Sequence, residues 1–212
     1  MRVMPRVVSL FLPTWPTDRV RRTLAAAAPS RDVPLVLVGH DGRRRVVTAA
    51  DVAARRVGLR VGMPATKAQA LVADLVMMDA EPLADAEALE RLAIWALQRY
   101  APIAAADPPD GLVIDTSGAD HLHGGEETML AGMVQRFSSV GIAARVAVAD
   151  CWGAAHATAR HRPGDATIVP CAHGGEVIFD LPIGALRLPA PSGYRSSTSS
   201  SSSRSSNTRR TS

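Results

Sequence analysis

Between residues 83 and 161 the sequence switches repeatedly between helical and strand periodicity, and this order of elements narrows the fold more than any other feature. "LADAEALERLAIWALQRYA" (83–101) puts Leu89, Leu92, Ala93, Ala96 and Leu97 on one helical face, with Glu87, Glu90, Arg91 and Arg99 off it. "IAAADPPDGLVIDTSG" (103–118) reads as two strands around a Pro-Pro-Asp-Gly turn. A helix follows in "GGEETMLAGMVQRFSSVG", a strand in "IAARVAVAD" (142–150) and a helix in "CWGAAHATARH" (151–161). An apolar strand over residues 6–12 completes the set. It carries Val8, Leu10 and Leu12 on one face and Val7, Ser9 and Phe11 on the other. Four strands with two packed helices can close a ferredoxin-like sheet, so the expected class is α/β (α+β).

The segment at about 20–80 reads as a small helical subdomain inserted into that order. A helix opens at Pro16-Thr17-Asp18, with Thr17 or Asp18 near its N-cap, and runs to about Ala28. "PLVLVG" (34–39) and "RVVTAA" (45–50) are short strands joined at Asp41-Gly42. "DVAARRVG" (51–58) is a helix that Asp51 can cap, and "MPATKAQALVADL" is another that starts at Pro64. After "LPIGALRLPAP" the chain becomes Ser/Arg text. Residues 192–212 lack the apolar surface to fold and are expected to be a disordered tail.

Charge divides along the same boundary. The net charge of +4 comes from Arg195, Arg204, Arg209 and Arg210 in the tail, and the first 191 residues are neutral. Those four arginines imply weak, salt-sensitive DNA binding and nothing selective. The basic residues are 23 Arg against one Lys, Lys67, which reads as coding bias rather than as an arginine-built site. Two cysteines twenty apart form neither a disulfide framework nor a zinc cluster. No apolar run is long enough for a membrane span, and "MRVMPRVV" lacks a signal-peptide core, so the expected location is cytoplasmic.

Several clusters carry chemistry only under particular conditions. His121 and His123, two apart on a strand, share a face and with Glu126 or Glu127 could hold a metal. No third ligand has fixed spacing, so a polar loop is preferred. Cys151 and His156 lie five apart on one helix and therefore on different faces, which argues against a nucleophile pair. "HGG" at 123–125 and at 173–175 precedes helices but lacks a phosphate-loop pattern, so loop closure is preferred. Asp107, Asp110 and Asp115 surround the hairpin. Paired carboxylates there could hold Mg²⁺, whereas three Asp near a Pro-Pro turn are usually solvated.

"TAADVAARRVGLRVGMPATKAQAL" (48–71) resembles the finger region of the Y-family translesion DNA polymerases. "VSLFLPTWPTDRV" resembles their first palm strand, "PDGLVIDTSGADHLHGG" their palm hairpin, and "VAVADCWGAAHATARHRP" the helix that follows. "LPTWPTDR" and "LPIGALRLP" are similar to the ImuB-type branch, the polymerase-like members of bacterial damage-induced mutagenesis cassettes. The resemblance implies a discontinuous palm, residues 1–19 and 80–165, a fingers insertion, 20–79, and the start of a thumb, 166–191. It stops near Pro189, which implies a truncation or frameshift there.

An active member of the family holds two Mg²⁺ ions with three carboxylates. Aligned on the motifs, Ser9 and Phe11 stand where the two acids of the first strand would be. Asp110 is retained and Gly111 replaces the hairpin glutamate. Arg55 matches the family's phosphate-binding arginine, while Val52, Trp152 and His156 stand in place of its Tyr and Lys residues. The resemblance therefore implies a catalytically inert adaptor without a resident cofactor. Its implied partners are an error-prone C-family DNA polymerase, an ImuA-like RecA-related protein and the sliding clamp, whose binding motif is expected further C-terminal. The alternative is a weakly active nucleotidyltransferase, which would need Mg²⁺.

Overall fold

The computed structural model describes residues 5–179, 181–182 and 185. Its main sheet is built from β1 (Val7–Phe11), β5 (Ile103–Asp107), β6 (Gly111–Asp115), β7 (Arg145–Ala149) and β8 (Ala166–Ile168), in the order β5–β6–β1–β7–β8. β1 is central and antiparallel to both β6 and β7, with Val7 opposite Asp115 and Phe11 opposite Gly111. The first four strands have the expected ferredoxin-like arrangement. β8 adds a fifth, parallel to β7, from a segment that the sequence reading left outside the sheet.

Alternation along β1 decides what each face of the sheet does. Val8, Leu10 and Leu12 point into the main core with Leu112, Ile114, Val146 and Val148. That face is covered by α4 (Pro82–Arg99), through Leu89, Ala93 and Ala96, and by α5 (Glu126–Ser139), through Met129, Leu130, Met133 and Phe137. Burying each of the large apolar side chains contributes about 1.5–3 kcal/mol. The opposite face receives α6 (Trp152–His161), whose run of small buried residues, Ala154, Ala155, Ala157 and Ala159, lets the helix lie close against β1 and β7.

The insertion carries a three-stranded sheet in addition to its helices. Its strands are β2 (Leu35–Asp41), β3 (Arg44–Ala50) and β4 (Val76–Asp79), in the order β3–β2–β4. β4 was not expected from the sequence: "VMMD" is short and shows no alternation, and its pairing with β2 creates it. Gly42, at φ +60°, opens the two-residue turn between β2 and β3, as hairpin twist requires. Asp51 caps α2 (Val52–Arg56) by accepting a bond from the Ala54 amide at 2.8 Å. α2 and α3 (Ala65–Leu71) cover one face of the small sheet, and α1 (Trp15–Leu24) covers the other through Val20 against Leu37 and Ala49.

α1 starts earlier than the capping signals suggested. Its first residue is Trp15, so Thr17 and Asp18 lie inside it. Asp18 is buried and accepts bonds from the Thr14 hydroxyl at 2.7 Å and from the Ala143 amide at 3.1 Å. Trp15 donates its indole N–H to the Asp85 carbonyl, and Arg19 pairs with the Asp85 carboxylate. "LPTWPTDR" is thus a packing motif that joins β1 to α4 and to the β7 layer. The tail at 192–212 and most of "LPIGALRLP" lie outside the described residues.

Candidate functional site

The site lies at the hairpin end of β1, on the face covered by α6. β6 begins at Gly111 directly opposite Phe11, and the Leu12 amide donates to the Asp110 carbonyl at 2.8 Å. Three of the four positions picked out by the sequence, Phe11, Asp110 and Gly111, therefore meet at one point. Ser9 is on the same strand face but farther along, between Val113 and Ala147. It is buried, and its hydroxyl has no hydrogen-bond partner among the described residues.

The centre of this point is occupied by Arg160, a residue that sequence reasoning missed. Its guanidinium contacts the Asp110 carboxylate at 2.9 Å and the Asp107 carboxylate at 3.5 Å, and stacks over the Phe11 ring at 4.7 Å from the centroid. His156, one turn earlier on α6, places Nε2 3.6 Å from the same Asp107 carboxylate. The i, i+4 spacing of His156 and Arg160 was the available signal, because it puts both side chains on one helical face. Nothing in the sequence indicated that this face would meet the hairpin.

Gly111 is required here by close approach. A Cβ at this position would lie 2.8 Å from an Arg160 nitrogen, 2.9 Å from the Leu10 carbonyl oxygen and 3.3 Å from the Asp107 carbonyl oxygen. Two of those three atoms are backbone, so a glutamate cannot be accommodated without moving the hairpin. The donor set does not fit a two-Mg²⁺ site: a phenyl ring, a glycine and a guanidinium stand beside two carboxylates that already share that cation. A fixed positive charge in the centre also repels any entering divalent ion.

The other sequence candidates separate. Asp115 accepts a bond from the Ser117 amide and closes the turn after β6. His121 and His123 lie on a 3₁₀ turn, Asp120–His123, rather than on a strand, and His123 Nε2 is 3.1 Å from the Tyr100 carbonyl oxygen. Glu126 pairs with Arg6, whose pKa that bond pushes up. Among the described residues no three His, Cys, Asp or Glu side chains converge on a metal position. Cys151 is exposed and His156 buried, so they do not form a nucleophile pair. Gly124, at φ +79°, closes the first "HGG" turn. At the second, a Cβ on Gly174 would lie 2.8 Å from the Asp150 carboxylate, so a carboxylate already fills the place a phosphate would need.

Arg55 is exposed on α2 and donates to the Pro13 carbonyl at 2.6 Å, bridging the insertion to the end of β1. It shares an open cleft with Arg60. Trp152 and His156 form a ring pair 5.1 Å apart. A larger cleft of about 620 Å³ separates the two sheets. Gly39, Thr48 and Ala49 line one side, and Ala86, Pro108 and Pro109 the other.

The model of the impB/mucB/samB family matches residues 24–160. This chain belongs to that family. It is 47% identical over 132 residues to Protein ImuB of Caulobacter vibrioides, covering 62% of this chain and 28% of that protein. It is 28% identical over 161 residues to DNA polymerase IV of Dehalococcoides mccartyi, covering 75% of this chain and 40% of that one. The chain therefore spans well under half the length of these curated relatives. Among solved structures, the insertion ternary complex of Dbh DNA polymerase superposes with a TM-score of 0.67 at 17% identity, over 86% of this chain and 54% of the other. DinB from Sulfolobus solfataricus gives 0.65 at 18%, over 86% and 53%. The fold is that of the Y-family palm and fingers domains.

Proposed function

We propose that this chain is the palm-and-fingers body of a catalytically inert, polymerase-like adaptor in damage-induced mutagenesis and translesion synthesis. The observation that carries this reading is the ion pair between Asp110 and Arg160 at the hairpin end of β1. An active palm needs carboxylates free to bridge two metal ions, whereas here the retained carboxylate has a built-in counter-ion. Likeness to a protein named ImuB adds the context of induced mutagenesis. The adaptor would bring an error-prone C-family polymerase and an ImuA-like, RecA-related protein to the sliding clamp in the cytoplasm. Among the described residues no helix is long and apolar enough to cross a membrane. Arg55 is the residue that would retain phosphate affinity, at the cleft it shares with Arg60.

The test is genetic. Asp110→Ala, placed in the chromosomal gene, should leave ultraviolet-induced mutation frequency at the wild-type level. Loss of induced mutagenesis, with the protein present at its usual abundance, would remove the reading. A second reading, a weak nucleotidyltransferase, rests on the two carboxylates Asp107 and Asp110 that converge at the hairpin end of β1. It requires primer extension with Mg²⁺ or Mn²⁺ that Asp110→Ala abolishes.

A further inference from the structure

The helical face of the palm, on the far side of the sheet from Arg160, carries a feature that neither the carboxylate turn nor the fingers uses. A groove of about 280 Å³ runs between α4 and the C-terminal end of α5. Its floor is apolar: Leu92 and Trp95 from α4, Phe137 from α5, and Ile142. Arg22, at the end of α1, and Arg136 stand at its rim, and both are exposed. It continues in two directions. One neighbouring groove shares Arg22 and Val140 and leads to Arg31, and another shares Arg136 and leads to Arg99.

The charge along this strip is one-sided. Arg22, Arg31, Arg99 and Arg136 make no salt bridge among the described residues, and no aspartate or glutamate lines any of the three grooves. Elsewhere Arg6, Arg19, Arg21, Arg45 and Arg160 are each paired with an acid. In a core that is neutral overall, four arginines without an acidic partner, of which Arg22 and Arg31 are held in place by the Val140 and Gly141 carbonyls, form a positively charged patch beside an apolar groove.

We propose that this groove docks an acidic, amphipathic segment of a partner protein. A large apolar side chain of the segment seats on Leu92, Trp95, Phe137 and Ile142, and flanking carboxylates meet Arg22 and Arg136. Arg31 and Arg99 extend the attraction to either side and speed encounter. The occupant is not the chain's own Ser/Arg tail, whose four arginines and lack of acids make it repulsive here. Nucleic acid fits the strip less well than protein does. Trp95 packs edge-on against Tyr100 and Phe137, at 80° and 83°, as part of a built apolar floor rather than as a free stacking platform. The proposal is independent of whether the palm is inert, since the groove lies on the other side of the sheet.

The test uses the full chain and a glutamate–leucine amphipathic peptide as the probe, with the indole N–H signals of Trp15, Trp95 and Trp152 as local reporters. The peptide should shift the Trp95 signal and leave Trp152 in place, and a lysine–leucine peptide should shift neither. Arg22→Glu with Arg136→Glu should weaken binding by at least about tenfold. Arg22→Gln with Arg136→Gln, which removes charge without reversing it, gives the same direction if the reversed pair folds poorly. An unmoved Trp95 signal, or equal binding to wild type and both variants, overturns the proposal. Displacement of the peptide by oligo-dT that itself shifts Trp95 would assign the strip to nucleic acid instead. Self-association in sedimentation velocity that the double variant abolishes would assign it to a second copy.

Discussion

Two positions on the α6-covered face of the main sheet and one on α1 show how single residues fix the character of this fold. Ser9 keeps a buried hydroxyl without a partner, so Ser9→Ala should leave thermal stability unchanged or raise it by up to about 1 kcal/mol, read by chemical denaturation. Gly111→Glu adds an acid at the hairpin end of β1, but its Cβ has no room beside the Leu10 carbonyl and Arg160. It should lower the melting temperature and produce no primer extension. Asp18, on α1, has its carboxyl pushed up from the ordinary value of 3.8 by burial, which outweighs the bonds from Thr14 and Ala143. A raised carboxyl pKa means the native state holds the proton more tightly than the unfolded chain does. The fold is therefore favoured by protonation, and stability falls as pH rises from about 3.8 through the raised value. Asp18→Asn should accordingly be more stable than wild type at neutral pH, with the difference vanishing below the ordinary carboxyl pKa. Melting temperatures measured across that range check the sign.

At the scale of elements, α6 is the decisive piece. Its alanines bring it close to β1 and β7, and that closeness delivers His156 and Arg160 to the hairpin. Arg160→Met removes the one guanidinium that Asp107 and Asp110 share and leaves two carboxylates facing each other. Asp110 is about a third exposed, which reduces the penalty below that of a fully buried pair, so a loss of about 2–3 kcal/mol is expected. Added Mg²⁺ should raise the melting temperature of this variant and leave wild type unmoved. Equal responses would show that the guanidinium is not what fills the metal position.

Across the whole molecule, arginines tie the small sheet and α2 to α1 and to the end of β1. Arg21 pairs with Asp51 at 2.6 Å, with both side chains more than nine-tenths buried, and also donates to the carbonyls of Ser30 and Val33. Asp51 in turn caps α2, so one ion pair sets both the loop after α1 and the start of the fingers helix. Arg21→Ala should cost about 3–5 kcal/mol and speed amide exchange in β2 and β3 more than in β1. Arg55→Ala loses only an exposed bond to the Pro13 carbonyl and should cost less than about 1 kcal/mol. If both variants loosened the fingers equally, the division between buried clamp and surface bridge would be wrong.

The order of the main elements and the Asp51 cap were readable from sequence, because period and capping chemistry are local properties. The meeting of Phe11 with Asp110 and Gly111 was not, because β1 and β6 are far apart in the chain and only their pairing in the sheet sets Phe11 opposite Gly111. β4 and β8 were not readable. Both are short, and each becomes a strand only when a neighbour supplies its hydrogen bonds. The place of Arg160 was beyond the sequence for the same kind of reason. It lies fifty residues from Asp110, and nothing local distinguishes it from the many other arginines of this chain. The sequence alone determined that the first strand carries no carboxylate and that Asp110 stands in the hairpin turn. Only the tertiary structure decided what stands with Asp110, because which side chains meet across a sheet depends on how a helix packs against it and not on spacing along the chain.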